Sequence, residues 1–494
     1  MILVAFVLAG LLTIAAVLLG RNHRQMNTAC FLQALIYSVL VIYTLLFQQV
    51  PVPSFLIGSG YFFMDHLGLY EVLIASVIFT AAAFYARGYV GGLLIDRELE
   101  QGSLKLFYLS WALLLLIVVL AFFSDNLALF WIFAELTTVI SAMLIAILSA
   151  RENIDAAIKY IFIASVSMLF AFVGLIFLFE SSRAVLGNGT LNWTVLTQHA
   201  AQFPPGMMMA AFALVFVGFA AKSGIFPFHT WLPEAHAKAP SAVSAILSGV
   251  LLNVGIYGII RVWAIVHQSP AAATLAPILG LFGLLTIGIA AFSMLPQKNL
   301  KKLIAFSSVE NMGILLVGIA ISTPVAIFWV LFHVMAHSLT KASLFLSAGI
   351  LHRQYRSHLG TDTIDDIRDV FRFQPLAAWG IILGSLAIIG IPLSPIFFSK
   401  LFILIQLGTV SLWALFIMLL LLFIAAAALG YFILTTFTRV SDPGTPADIV
   451  PYVTPLSMKI PVLFLLGLIL CLGVVFTGGE IAFYNQILTE LRFS

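Results

Sequence analysis

Long apolar runs separated by short polar clusters fill the chain from one end to the other. A helix that crosses a bilayer needs about 20 predominantly apolar residues. Runs of that kind predict fourteen spans, at 1–20, 28–50, 67–90, 106–123, 126–150, 156–180, 207–226, 240–266, 272–295, 301–322, 324–350, 375–400, 411–437 and 458–478. The fold class expected is an all-α polytopic membrane protein. With no linker, low-complexity tract or soluble domain in view, residues 1–494 are expected to form one membrane domain. The longest hydrophilic stretches, around 352–374 and 438–459, are expected to be loops or short amphipathic helices.

Composition agrees with that pattern. The hydrophobic share is 62% and the charged share 9%, against about 25% charged residues in soluble domains. Too little charge is present to cover the molecule in water, so lipid is its expected solvent. Cys30 and Cys471 both lie in apolar runs without ligand spacing, which excludes a cysteine-ligated iron–sulfur cluster and offers no disulfide framework. The first apolar run lacks the basic segment of a signal peptide, and its positive charges follow it at Arg21, His23 and Arg24. It reads as an uncleaved span with its N-terminus outside.

Basic residues set the orientation. Seventeen of the 23 lysines and arginines fall in loops after odd-numbered spans, and three (Arg183, Arg261, Arg492) follow even-numbered ones. This positive-inside bias supports fourteen spans with both termini outside. Lys222, Lys341 and Lys400 remain, each within a span or at its edge. Glu135 and Glu310 also sit in apolar runs, Asp65 and Asp125 lie near span ends, and Glu71 lies about a turn into span 3.

Each ionisable group at the bilayer centre costs about 2.5–3.5 kcal/mol on insertion scales, so such groups need interior partners and point to an ion pathway. The alternative is a set of internal ion pairs that only hold the helices together. Lys222 precedes Pro227, and Lys400 follows Pro392 and Pro395, with glycine and serine close by in both stretches. These features predict helices broken in mid-membrane, at Pro227 in span 7 and at Pro392 and Pro395 in span 12, where freed backbone groups line a cavity. A simple proline kink is the plainer reading of either one.

Lys222 and Lys400 stand 178 residues apart, and Glu135 and Glu310 stand 175 apart. The spacing predicts two five-span repeats, 106–266 (spans 4–8) and 272–437 (spans 9–13), preceded by spans 1–3 at 1–105. Span 14 and a tail follow at 458–494. Five spans is an odd number, so the repeats are inverted relative to each other. In span 11, His333, His337 and Lys341 recur every four residues and form one stripe about 12 Å long. Imidazoles near neutral pH pass protons between waters, so the stripe suits proton conduction. A shared metal or haem ligand face is the competing reading of two histidines one turn apart.

These motifs resemble a known family. Lys222-Ser-Gly-Ile-Phe-Pro-Phe-His-Thr-Trp-Leu-Pro-Glu-Ala-His236 looks like the signature of the antiporter-like subunits of respiratory complex I, membrane-bound hydrogenases and multisubunit sodium/proton antiporters. Leu129-Phe-Trp-Ile-Phe-Ala-Glu135 resembles the family's fifth-helix glutamate motif, Phe332 to Phe345 its eleventh-helix motif, and Phe397-Phe-Ser-Lys400 its twelfth. The resemblance covers about residues 60–440. It implies two inverted five-helix repeats, each offering half a proton channel, with Glu135 paired to Lys222. It further implies that the span 11 stripe belongs to a central hydrophilic axis and that Lys400 is the terminal exchange group.

The resemblance implies no redox centre or other cofactor in this chain, with iron–sulfur clusters and nickel–iron or flavin centres in partner subunits. The partners expected are other membrane subunits of a hetero-oligomeric complex, with lipid around them and protons, or sodium ions, as cargo. Nucleic acid is not expected. The location expected is a prokaryotic inner membrane. One departure stands out: many family members carry a lysine or histidine mid-way along the eighth helix, where this chain has Ser248 and Asn253 as its polar residues. Neither titrates, so the middle of the path is expected to rely on water or on span 11. Ser307-Ser-Val-Glu-Asn-Met-Gly313 and Asn253 look most like component F of hydrogenase-4 and formate hydrogenlyase assemblies. The middle antiporter-like subunit of NADH:quinone oxidoreductase, a sodium/proton antiporter subunit and a non-pumping scaffold are the alternatives.

Overall fold

The protein is described from a computed structural model, which covers residues 2–54, 60–148, 150–359, 367–439, 451–475 and 478–493. Residues 360–366 and 440–450, within the two long hydrophilic stretches, lie outside the described residues. Twelve predicted spans are single helices. They run Ile2–Leu19 (span 1), His23–Phe47 (2), His66–Ile95 (3), Leu104–Phe122 (4), Leu127–Ala146 (5) and Arg151–Leu186 (6). After span 7 come Ser241–His267 (8), Ala272–Met294 (9), Leu300–Ile321 (10) and Pro324–Leu359 (11). Leu412–Phe437 (13) and Leu456–Val474 (14) complete them. Spans 7 and 12 are broken, as Pro205–Lys222 with Trp231–Lys238, and Pro375–Ile389 with Pro395–Val410.

Burial sorts these helices into a centre and a rim. Span 8 is buried along its whole apolar length, whereas only 22% of span 13's apolar stretch is. Leucines such as Leu12 and Leu19 on span 1 and Leu420 on span 13 are exposed, as suits helices whose outward face meets lipid. The helices carrying Glu135 and Glu310 both start on an asparagine N-cap. Asn126 accepts the Ala128 N–H at 3.0 Å and Asn299 accepts the Lys302 N–H at 3.1 Å, satisfying amides that the first turn leaves free.

The two breaks have the same local construction. At the first, the Ile225 N–H donates to Ala220 O and the Gly224 N–H to Ala221 O, with Gly224 at φ +67°. At the second, the Ile391 N–H donates to Leu386 O and the Gly390 N–H to Ala387 O, with Gly390 at φ +91°. Both are the paired bonds of a Schellman end, which needs a left-handed residue that glycine adopts without strain. The second helix of span 12 restarts at Pro395, with Ser394 accepting the Phe397 N–H at 3.2 Å. Pro392 lies in the gap, and Pro227 ends the turn before Trp231–Lys238.

The two lysines fall on opposite sides of their breaks, as their order relative to the prolines in the chain implies. Lys222 is the last residue of the first half of span 7, ahead of its break, while Lys400 lies in the second half of span 12, beyond its break. Equal spacing in the chain therefore does not give equal places at the breaks.

Several short elements went unseen in the apolar pattern. A two-stranded antiparallel ribbon pairs Val52–Ser54 with Phe62–Met64. A short helix, Trp193–His199, precedes span 7, and a tail helix, Gly478–Glu490, follows span 14. The tail helix folds back on span 3, where the His66 N–H donates to Glu490 Oε2 at 3.0 Å and His66 Nδ1 lies 2.6 Å from Glu490 Oε1.

Candidate functional site

The buried ionisable side chains gather where the two broken spans face spans 5, 10 and 11. In the second repeat they form a connected group. Lys400 Nζ donates to Glu310 Oε1 at 2.9 Å and to Ile388 O at 2.9 Å, the latter a carbonyl freed by the break. Its ammonium thus sits between a carboxylate and the C-terminal end of a half-helix. Asn311 Nδ2 donates to Glu310 Oε2 at 3.2 Å, and Asn311 Oδ1 lies 2.9 Å from His333 Nε2. His333 Nδ1 in turn lies 2.8 Å from Ser399 Oγ. Both nitrogens of His333 are therefore committed to this hydrogen-bonded line, and neither is left to serve as a metal ligand.

The stripe continues along span 11, where His333, His337 and Lys341 are all fully buried. Lys341 Nζ donates to Ile304 O at 2.7 Å and to the Ser307 hydroxyl on span 10. Between them, His337 has no hydrogen-bond partner on either ring nitrogen. His236, on the second half of span 7, is also unpartnered on both nitrogens and stacks on Phe345 with ring centroids 4.7 Å apart. Buried polar groups without protein partners are ordinarily met by internal water.

The first repeat is arranged differently. Lys222 Nζ donates to Thr138 Oγ1 at 2.7 Å, while Glu135 accepts from the Ser165 hydroxyl. Lys222 and Glu135 interact through space but make no ion-pair contact; Glu135 Oε2 is buried with no hydrogen-bond partner. Thr138 is one turn beyond Glu135 on span 5, so the ammonium is held on a hydroxyl beside the carboxylate. One repeat thus holds its lysine–glutamate pair closed, and the other holds it apart.

Span 8 lies between the repeats. Residues Leu247–Leu251 form a π-helical turn, a widened turn often found at functional positions. It carries Ser248, whose hydroxyl lies 2.9 Å from that of Ser308 on span 10. Asn253, just beyond, donates from Nδ2 to Glu71 Oε2 at 3.1 Å and to Ser338 Oγ at 3.0 Å. Glu71 on span 3 is 1% exposed. Its position about a turn into an apolar span was visible in the sequence, but nothing local linked span 3 to span 8.

Three cations counted with the loops are also buried, Lys301, Arg353 and, deepest of them, Arg261. Arg261, counted with the loops, is 1% exposed on span 8. Its Nη2 donates to both Asp65 oxygens, at 2.7 and 2.6 Å, and to the Tyr257 hydroxyl at 2.8 Å. The guanidinium carbon stands 4.0 Å from the Trp193 ring centroid. At the other end of the bundle a cavity of about 820 Å³ is lined by Arg97, Arg151, Lys238, Lys298, Lys301 and Lys302, among others.

These features define a polytopic membrane protein with two broken helices and a buried line of lysine, glutamate and histidine side chains. The chain belongs to the family of the NADH:quinone oxidoreductase/Mrp antiporter membrane subunits, whose model matches residues 124–430. It is 30% identical over 403 residues to a hydrogenase-4 component F homolog of Methylacidiphilum infernorum, covering 81% of this chain and 82% of that one. It is also 30% identical to hydrogenase-4 component B of Escherichia coli, covering 67% of this chain and about half, 48%, of that longer protein. In fold it is similar to a chain of the Mrp complex from Dietzia sp. DQ12-45-1b, at TM-score 0.84 and 20% identity over 100% of this chain and 97% of that one. A chain of respiratory complex I from Thermus thermophilus matches at TM-score 0.82 and 20% identity, over 100% of this chain and 99% of that one.

Proposed function

We propose that this chain is a proton-translocating subunit of a membrane-bound redox complex, most akin to hydrogenase-4 and formate hydrogenlyase assemblies. The observation that carries the reading is the row of ionisable groups running from partly buried Glu135 and buried Lys222, past Lys341, His337 and His333, to Glu310 and Lys400. Titratable groups strung through the interior, with the unpartnered imidazole of His337 among them, can pass a proton in steps through intervening water without exposing charge to lipid.

In this reading, a proton reaching Glu135 neutralises it and frees Lys222 from its influence. Lys222 then gives up a proton toward the span 11 stripe. At the far end, separation of Lys400 from Glu310 releases a proton there, and re-formation of the pair resets the site. A lysine moves between these states because a neighbouring carboxylate stabilises its charged form and burial opposes it. Electron carriers and the site of redox chemistry belong to partner subunits in a prokaryotic inner membrane, with both termini of this chain on the outer side. The identity with a hydrogenase-4 component F homolog over most of both chains favours the hydrogenase branch. The same buried row also suits an antiporter exchanging sodium ions for protons.

The test is redox-driven proton uptake by the purified complex in vesicles. Lys222→Ala and Glu135→Ala are each expected to abolish uptake while the complex stays assembled. Unchanged uptake in both variants would rule the reading out, and sodium-dependent uptake by the isolated subunit would favour the antiporter.

A further inference from the structure

The buried row has a gap at its middle that the residues of span 8 do not fill by themselves. Ser248 and Asn253 carry hydrogen bonds but hold no exchangeable charge near neutral pH. Glu71 meets Asn253 there, from outside either repeat. Its carboxyl is 1% exposed, and its hydrogen bond comes from a neutral amide. No ion pair neutralises it among the described residues. Arg261, whose charge acts on Glu71 through space, makes its ion-pair contact with Asp65.

A carboxylate buried without a cation is costly, and proteins relieve that cost by protonation or by hydration. The surroundings of Glu71 are built for both. Asn253 Oδ1 is buried and unpartnered, as are both nitrogens of His337. His337 adjoins Ser338, the second residue that receives a hydrogen bond from Asn253. The amide thus joins the carboxyl of span 3 to the stripe of span 11, with open acceptor and ring positions on the stripe side. On the other side, Leu252, next to Asn253, receives a hydrogen bond through its carbonyl from Ser223, the residue after Lys222.

We propose that Glu71 is the proton-carrying group at the centre of the row, supplying from span 3 the titratable side chain that span 8 lacks. This rests on the translocation reading above. A proton arriving by water from the Lys222 side adds to a Glu71 carboxylate oxygen and leaves the neutral acid. The acid then gives that proton to water held at Asn253 Oδ1, which passes it to a His337 ring nitrogen and leaves Glu71 ionised. No electron moves, and charge is conserved at every transfer.

The experiment uses the whole complex, purified through a tag on this chain and reconstituted in vesicles. It measures proton uptake per turnover, together with the infrared difference band of protonated carboxyls. Glu71→Gln is expected to lower uptake by roughly a hundredfold, the scale at which one positioned proton-transfer group acts, and to remove one carboxyl band. Glu71→Asp should keep uptake and shift that band. Asn253→Lys added to Glu71→Gln should restore part of the uptake, because it returns a titratable group to the gap.

Normal uptake in Glu71→Gln beside a dead Lys222→Ala would overturn the assignment and leave the translocation reading standing. Normal uptake in both would instead overturn that reading. Loss in Glu71→Gln with no recovery in either Glu71→Asp or the double variant would mark Glu71 as structural. If Glu71→Gln fails to assemble, Glu71→Asp decides: an unshifted carboxyl band overturns the assignment.

Discussion

Lys400 and Lys222 show how far identical side chains can differ in their surroundings. Lys400 has a carboxylate and two freed carbonyls around it, whereas Lys222 makes one hydrogen bond, to Thr138, although an ammonium has three donors. Removing one partner of a buried pair strands the other charge and costs about 3–5 kcal/mol. Lys400→Ala is therefore expected to lower stability by about that amount, read as a drop in the denaturant midpoint of the detergent-solubilised protein. Lys222→Ala, which strands no direct ion partner, should lower it much less. Asp65→Asn is expected to be as damaging as Lys400→Ala, because Arg261 is fully buried and, among the described residues, takes its ionic contact from Asp65. An equal midpoint for Asp65→Asn and the parent would contradict this account.

At the scale of elements, the two Schellman ends make a prediction that the lysines do not. Glycine-to-alanine replacement at a left-handed position costs about 1–2 kcal/mol from backbone sterics. At Gly390 an added Cβ meets its nearest atom, Lys400 Cδ, at an ordinary 3.4 Å, so the cost should stop there. At Gly224 the added Cβ would lie 2.4 Å from Leu232 Cδ1, so the buried Leu232 side chain must repack as well. Gly224→Ala should be the more destabilising of the two in thermal unfolding, and the reverse order would show that the breaks are not held as described. The breaks themselves were legible in the sequence because glycine, serine and proline crowd both stretches, and so was the side on which each lysine falls. Which carbonyls the breaks free was not, since that depends on where the Schellman bonds close. The tail helix and Trp193–His199 are too short to show as apolar runs, and each is held by contacts with distant residues.

For the whole molecule, the positive-inside asymmetry survives the structure, because Arg261 leaves the small tally after even-numbered spans while only Lys301 and Arg353, also buried, leave the large one. The loops after even-numbered spans then keep only Arg183, with Arg492 in the tail. Single cysteines at exposed Gly102 and exposed Asn188, in a background lacking Cys30 and Cys471, test the orientation. In right-side-out vesicles a membrane-impermeant thiol reagent should label position 188 and spare position 102; the opposite labelling would invert the topology.

The sequence by itself determined the solvent, the number of spans, the two broken helices and the identity of most buried charged groups. These are local consequences of apolar run length and of the cost of charge in lipid. Only the tertiary structure decided which of those groups meet: that Lys400 is paired and Lys222 is not, and that Arg261 is an interior cation. It also brought Glu71, remote from Asn253 in the chain, into hydrogen-bonding contact with it. Partnership across helices depends on rotation and depth at each crossing, and the hydrophobic pattern of a helix buried on all sides, as span 8 is, carries no record of either.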